Sequence, residues 1–198
     1  MAESPLEDDE DWEAVLPLIG RGHRIRGMFI SPIADVLDSA SLKAVIATLD
    51  EPPRAGVFVP FLSYSRRDYL RIVLAAAALG PPALSRAERI RHIAFNDFAT
   101  FSASLLGQAV RASVGTARAA LLRTPQVYST VAPADDGSVC GGSVGDDVEL
   151  VFTGYPIFWP YHLGQIEGMV ATFGERCSTR VERTPSEVRY LVRLRPGP

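Results

Sequence analysis

Trp159-Pro160-Tyr161-His162-Leu163-Gly164-Gln165-Ile166-Glu167-Gly168-Met169-Val170-Ala171-Thr172-Phe173-Gly174 is the stretch on which the fold turns. Leu163, Ile166, Val170 and Phe173 recur at helical spacing and predict an amphipathic helix that stops at Gly174. Gly164 and Gly168 lie four apart on one face, where the missing side chains let a neighbouring element come close. After the stop, Cys177, Thr179 and Val181 alternate with polar residues. Val188, Tyr190, Val192 and Leu194 do the same beyond a turn at Thr184-Pro185-Ser186-Glu187, which predicts an antiparallel hairpin. This helix-then-hairpin unit carries no recognisable catalytic motif.

Upstream, Val148 to Thr153 reads as a further strand. The preceding segment, Ala134 to Asp147, is rich in Gly, Ser and Asp and predicts a long flexible loop. Val127 to Val131 is strand-like, and Thr116 to Leu122 forms a short helix that stops before Pro125. The middle of the chain is dominated by helix. Ser85 with Glu88 has the form of a capping box, starting a helix with Ile90, Ile93 and Ala94 on one face that continues into Phe98, Phe101, Leu105 and Leu106. Ser65 with Asp68 repeats the pattern before Tyr69, Ile72, Val73, Ala76 and Ala77, a helix apolar on most sides and ended by Gly80-Pro81-Pro82. Two short helices follow from Ile33, Val36 and Leu37 and from Leu42, Val45, Ile46 and Leu49, with a strand-like segment from Gly22 to Phe29.

The fold class expected is α+β: an N-terminal helical half, then a small antiparallel sheet with a helix packed on it. Residues 21–196 are expected to form a single domain. Residues 1–20 are read as an acidic, disordered tail, because Glu3 to Glu13 holds seven carboxylates and few apolar groups.

The chain has 198 residues, 47% of them hydrophobic, enough for a sizeable core, and a net charge of -3 that offers phosphate no global attraction. Nucleic acid is therefore not an expected partner. Cys140 and Cys177 stand far apart, as suits reduced thiols in a cytoplasmic protein. The N-terminus lacks a signal-peptide pattern, and the most apolar run, Ile72 to Leu84, is shorter than the roughly 20 residues that cross a bilayer. Membrane insertion is not expected.

Arg26-Gly27-Met28-Phe29, the buried helix within Phe61 to Leu79, the Phe-rich helix at Phe101 to Gly107 and Gly164-Gln165-Ile166-Glu167-Gly168 before the final hairpin occur in an order that resembles an uncharacterised paralogous family expanded in myxobacteria. The C-terminal part is similar to the superfamily of vinyl-reductase-type ligand-binding domains, haem nitric-oxide sensors and a subunit of a Golgi tethering complex. That resemblance implies the α+β fold and a ligand held between the helical half and the sheet. The haem sensors' iron-ligating histidine has no counterpart in Arg123-Thr124-Pro125-Gln126-Val127-Tyr128, and their Tyr-x-Ser-x-Arg motif is missing, so no cofactor is carried over.

Among candidate residues, His23, His92, His162, Cys140 and Cys177 show no metal-ligand spacing, so no metal site is expected. Gly141-Gly142-Ser143-Val144-Gly145 lacks the Lys-Ser/Thr of a phosphate loop. Asp135, Asp136, Asp146 and Asp147 lack the spacing of a calcium loop. No catalytic residues are assigned, and an enzyme is not expected. Arg66 and Arg67 open the buried helix, where guanidinium groups bind carboxylate or phosphate. Tyr155, Phe158, Trp159 and Tyr161 form an aromatic cluster that lines a ligand pocket or serves the core. The leading expectation is a non-enzymatic sensory or regulatory domain that binds a small apolar or anionic molecule through these six residues. The alternative is a homodimeric protein-interaction module without ligand.

Overall fold

The computed structural model describes residues 11–20, 22–131, 137–154 and 159–197. The helical half runs through α1 (Trp12–Val15), α2 (Ser31–Ala34), α3 (Ser39–Ile46), α4 (Arg66–Ala78), α5 (Arg86–Ala103), α6 (Leu105–Val114), α7 (Ala117–Leu122) and α8 (Thr124–Val131). Within it, β1 (Arg24–Arg26) and β2 (Ser63–Ser65) form a two-stranded antiparallel ribbon in which Ile25 faces Tyr64. The second sheet is antiparallel, with strand order β3-β4-β6-β5, built from β3 (Ser138–Val144), β4 (Asp147–Thr153), β5 (Glu175–Arg183) and β6 (Glu187–Pro196). Helix α9 (Trp159–Ala171) falls between β4 and β5 in sequence and packs against α5 as well as against β5 and β6. This is the expected α+β architecture.

The sheet's inner face follows the period-two pattern: Val148, Leu150 and Phe152 of β4 and Val188, Tyr190 and Val192 of β6 are all buried. Gly164 and Gly168 act as the sequence suggests. A Cβ at Gly164 would lie 2.1 Å from the Arg91 carbonyl oxygen, so the missing side chain is what lets α5 and α9 touch backbone to backbone. The Ser85–Glu88 capping box is complete. At α4 only half of the pattern forms. Ser65 accepts from the Asp68 amide, but the Asp68 carboxylate turns away to accept the amides of Asp50 (2.9 Å) and Glu51 (2.8 Å) and ties down the loop after α3.

Several expectations are corrected. Val127 to Val131 is helix, not strand. Pro125 is tolerated in the first turn of α8, and the edge-to-face contact of Tyr128 on Phe152, at 5.2 Å, outweighs the β preference of the valines. The loop expected at 134–147 is largely β3, because ladder bonds to β4 need backbone only and the glycines supply it. Asp135 and Asp136 lie outside the described residues. The Phe-rich helix breaks at Ser104, whose Oγ accepts the Gly107 amide at 3.1 Å and caps α6. Of the expected tail, residues 1–10 lie outside the described residues, whereas 12–18 are helical. Trp12 is completely buried, its ring 6.5 Å from that of Trp159, so burial of a large aromatic side chain offsets the ordering entropy. Among the described residues no helix is long and apolar enough to cross a membrane.

Candidate functional site

Polar groups enter the core where α9 begins. Tyr161 and His162 are buried, and each meets a partner from the helical half. The Tyr161 hydroxyl donates to Asp97 Oδ2 of α5 at 2.5 Å, Tyr69 of α4 donates to the same oxygen at 3.3 Å, and the two hydroxyls also touch. Burial pushes the Asp97 carboxyl up to about 7, although both tyrosine bonds favour its charged form. Burial, then the Asp97 charge, holds Tyr69 and Tyr161 well above the usual phenol range.

His162 stacks on Phe152 with ring centroids 4.3 Å apart, and the first residue of α4, buried Arg66, donates from Nη2 to its Nε2 at 3.3 Å. A guanidinium has no acceptor, so Nε2 must accept and the neutral ring carries its proton on Nδ1. Nδ1 is buried and has no hydrogen-bond partner among the described residues. Burial, reinforced by the nearby Arg66 charge, holds the imidazole well below its ordinary range, so it stays uncharged. His162 lines a cavity of about 60 Å³ between the helical half and the sheet, walled by Phe98, Phe101, Tyr128, Phe152 and Met169. A second hollow, of about 40 Å³, shares Phe98, Phe101, Val127 and Met169 with it and extends the same apolar seam towards α6.

The family described as protein of unknown function (DUF2378) matches residues 19–193. This chain belongs to the DUF2378 family. No curated protein matches it. This DUF2378 chain is similar in fold to solved H-NOX structures. The Fe(II) unliganded H-NOX protein from K. algicida superposes with a TM-score of 0.67 at 13% identity, covering 87% of this chain and 98% of that one. An oxygen-binding H-NOX domain related to soluble guanylate cyclases, in its oxygen complex, gives 0.62 at 18% identity, covering 85% and 91%. A point mutant of T. tengcongensis H-NOX gives 0.62 at 20%, covering 86% and 96%.

Haem, the group this fold implies, does not fit the DUF2378 interior. Side chains fill the seam down to hollows of about 60 and 40 Å³, whereas even drug-sized ligands occupy roughly 300–1,000 Å³. The lone pair of His162 Nε2, an iron ligand's natural atom, is already engaged by a cationic guanidinium. Among the described residues no three His, Cys, Asp or Glu side chains gather as a metal site.

The structure separates the residues the sequence singled out. Arg66 alone stands at the cavity's histidine. Arg67 is spent on the Ile19 carbonyl (2.7 Å) and Asp50 (3.2 Å). Trp159 is core: Trp12 lies against it, the Arg183 guanidinium sits 4.8 Å above its ring, and its carbonyl accepts from Tyr190. Tyr161 serves the Asp97 cluster. Tyr155 and Phe158 lie outside the described residues. The sequence does carry a signal for Asp97: Ile90, Ala94, Asp97 and Phe101 share the buried face of α5, a carboxylate at an apolar position. The cavity role of His162 had no sequence signal, since Trp159 to Gly164 are all buried and give the helix start no direction.

Proposed function

We propose that the chain is a non-enzymatic sensory or regulatory domain that holds a small, mainly apolar molecule in the cavity at His162. One observation carries this reading: a buried N–H donor without a partner on the wall of an otherwise apolar hollow. Buried donors are almost always paired, and an acceptor atom on a ligand, neutral or anionic, supplies the partner. At ~10–15 Å³ per water-sized probe, about 60 Å³ admits a molecule of a few heavy atoms. The fold likeness to an oxygen-binding H-NOX domain supports a sensory role, the order of motifs supports a place in a paralogous myxobacterial set, and the widely separated Cys140 and Cys177 suit the cytoplasm.

Acetonitrile and acetate are suitable probes, one neutral and one anionic. Followed by amide chemical shifts, at least one should titrate saturably at residues around His162. Val127→Phe, which fills the hollow, and His162→Phe, which keeps the stack on Phe152 but removes the donor, should each abolish the response. A wild-type protein that ignores both probes, or variants that respond equally, would sink the proposal.

A second reading, a homodimeric interaction module, is favoured by Val57, Phe61 and Leu62, which are 62%, 75% and 49% exposed on the loop before β2. Native mass spectra would report chains in pairs that Phe61→Glu separates. Single chains in both proteins would rule it out.

A further inference from the structure

The Asp97 carboxyl borders more than the two tyrosines. It also lines a surface groove of about 400 Å³ whose walls include Ile33, Ala76, Leu84 and Ile93. Val36 and Leu79, at its margin, are 66% and 54% exposed. We propose that this groove is a binding site for a small alkylammonium compound, the ammonium docking on Asp97 and the alkyl body lying on the apolar walls. The site is separate from the cavity at His162 and does not depend on it.

Three features of the carboxyl lead there. Asp97 is 3% exposed, yet no cation among the described residues pairs with it. Buried carboxylates are ordinarily paired with a cation or held by several donors. Both hydroxyl bonds converge on Oδ2, and none of the described hydrogen bonds reaches Oδ1. One carboxylate oxygen is thus open to a donor from the groove. The protein's answer to the missing cation is to keep the proton, which is why the group titrates near 7.

Ligand chemistry follows from what surrounds that oxygen. Among the described residues no second carboxylate lines the groove, so a divalent metal would lack ligands. A single open oxygen suits a compact ammonium point charge better than the two-pronged fork of a guanidinium. An anion would face Asp97 itself. Among the described residues, the other titratable or charged groups facing the site are Tyr69 from α4, Tyr161 from α9, and Arg89 and His92 from α5. The tyrosines stay neutral below pH 10. Arg89 donates to the carbonyls of Leu84 (2.9 Å) and Ala77 (3.3 Å), closing the end of α4, and His92 is exposed.

Isothermal titration of the full chain with hexylamine, 1-hexanol and hexanoate tests the assignment. Hexylammonium should bind roughly tenfold or more tightly than hexanol, and hexanoate more weakly still. Hexylammonium affinity should tighten several-fold from about pH 6 to about pH 8, with a proton released per ligand bound at the lower pH. The pH effect should persist in His92→Gln, which separates Asp97 from the exposed histidine. Asp97→Asn keeps an acceptor for both tyrosines but no charge, and should erase the preference for hexylammonium over hexanol. Asn96→Arg, an exposed change on the groove wall that leaves the core alone, supplies a competing cation and should weaken hexylammonium binding about tenfold. Equal affinity for hexanol and hexylammonium, or undiminished hexylammonium binding by Asn96→Arg, would overturn the proposal.

Discussion

Two neighbouring residues of α9 lead into titratable groups whose effects on stability have opposite signs. Folded Asp97 keeps its proton up to about pH 7, while the unfolded carboxyl loses it near 3.8. Between those values the folded state binds more protons, so stability falls as pH rises. His162 does the reverse. Its buried ring stays neutral, the unfolded ring takes up a proton near 6.5, and stability is lost as pH drops through that value. Urea unfolding should therefore show Asp97→Asn gaining stability over wild type as pH goes from about 5 to about 8, by an amount on the order of a few kcal/mol. With Asp97 removed, the histidine slope leads near neutrality and the lowered carboxylates add to it at more acid pH, so the variant should weaken on acidification below about pH 6.5. A difference between the two proteins that does not vary with pH would mean that Asp97 is ionised throughout.

Among elements, the contact between α5 and α9 organises the molecule, and two glycines make it possible. Both were legible, since small residues four apart on an otherwise apolar helix announce a close neighbour. Which helix fills that place was not legible, because α5 lies some 60 residues upstream and spacing within α9 says nothing about it. A Cβ at Gly164 would stand 2.1 Å from the Arg91 carbonyl oxygen, and one at Gly168 would stand 2.7 Å from that of Phe95. Gly164→Ala should thus cost about 1–3 kcal/mol or more, and Gly168→Ala less. Thermal or urea unfolding gives the order, and equal costs would mean that the helices separate freely. The bidentate Arg91–Glu167 pair bridges the same two helices, at 2.6 Å on Nε.

At the scale of the whole molecule, the chain course is similar to that of H-NOX structures, and the interior between helices and sheet is filled by this chain's own side chains. Phe98, Phe101, Tyr128 and Phe152 fill the space between helices and sheet, and Arg66 caps the histidine that faces it. Protein purified without haem and titrated with hemin should develop no saturable one-to-one Soret band. A stoichiometric band abolished by His162→Phe would show that the aromatic side chains move aside and that the packed interior is only one state of the chain. Fold likeness at 13–20% identity speaks to chain course and leaves such differences untouched.

By itself the sequence determined the α9–hairpin unit, the capped starts of α4 and α5 and the alternation of β4 to β6, because each rests on periods and caps a few residues long. It misread α8 and β3, where local preference is weak and contacts with Phe152 and β4 decide. It placed the tail's end too late, since the burial of Trp12 in the core, against Trp159 among others, is visible only in the folded chain. The sequence offers Arg66, Tyr161 and a carboxylate on the buried face of α5, but their assembly into a site belongs to the tertiary structure. Arg66 and His162 are 96 residues apart, Tyr69 and Asp97 are 28 apart, and each pair meets only when α4, α5 and α9 close on one another. Burial then shifts the proton affinities of Asp97 and His162, and burial is a property of the packed molecule that no residue carries alone.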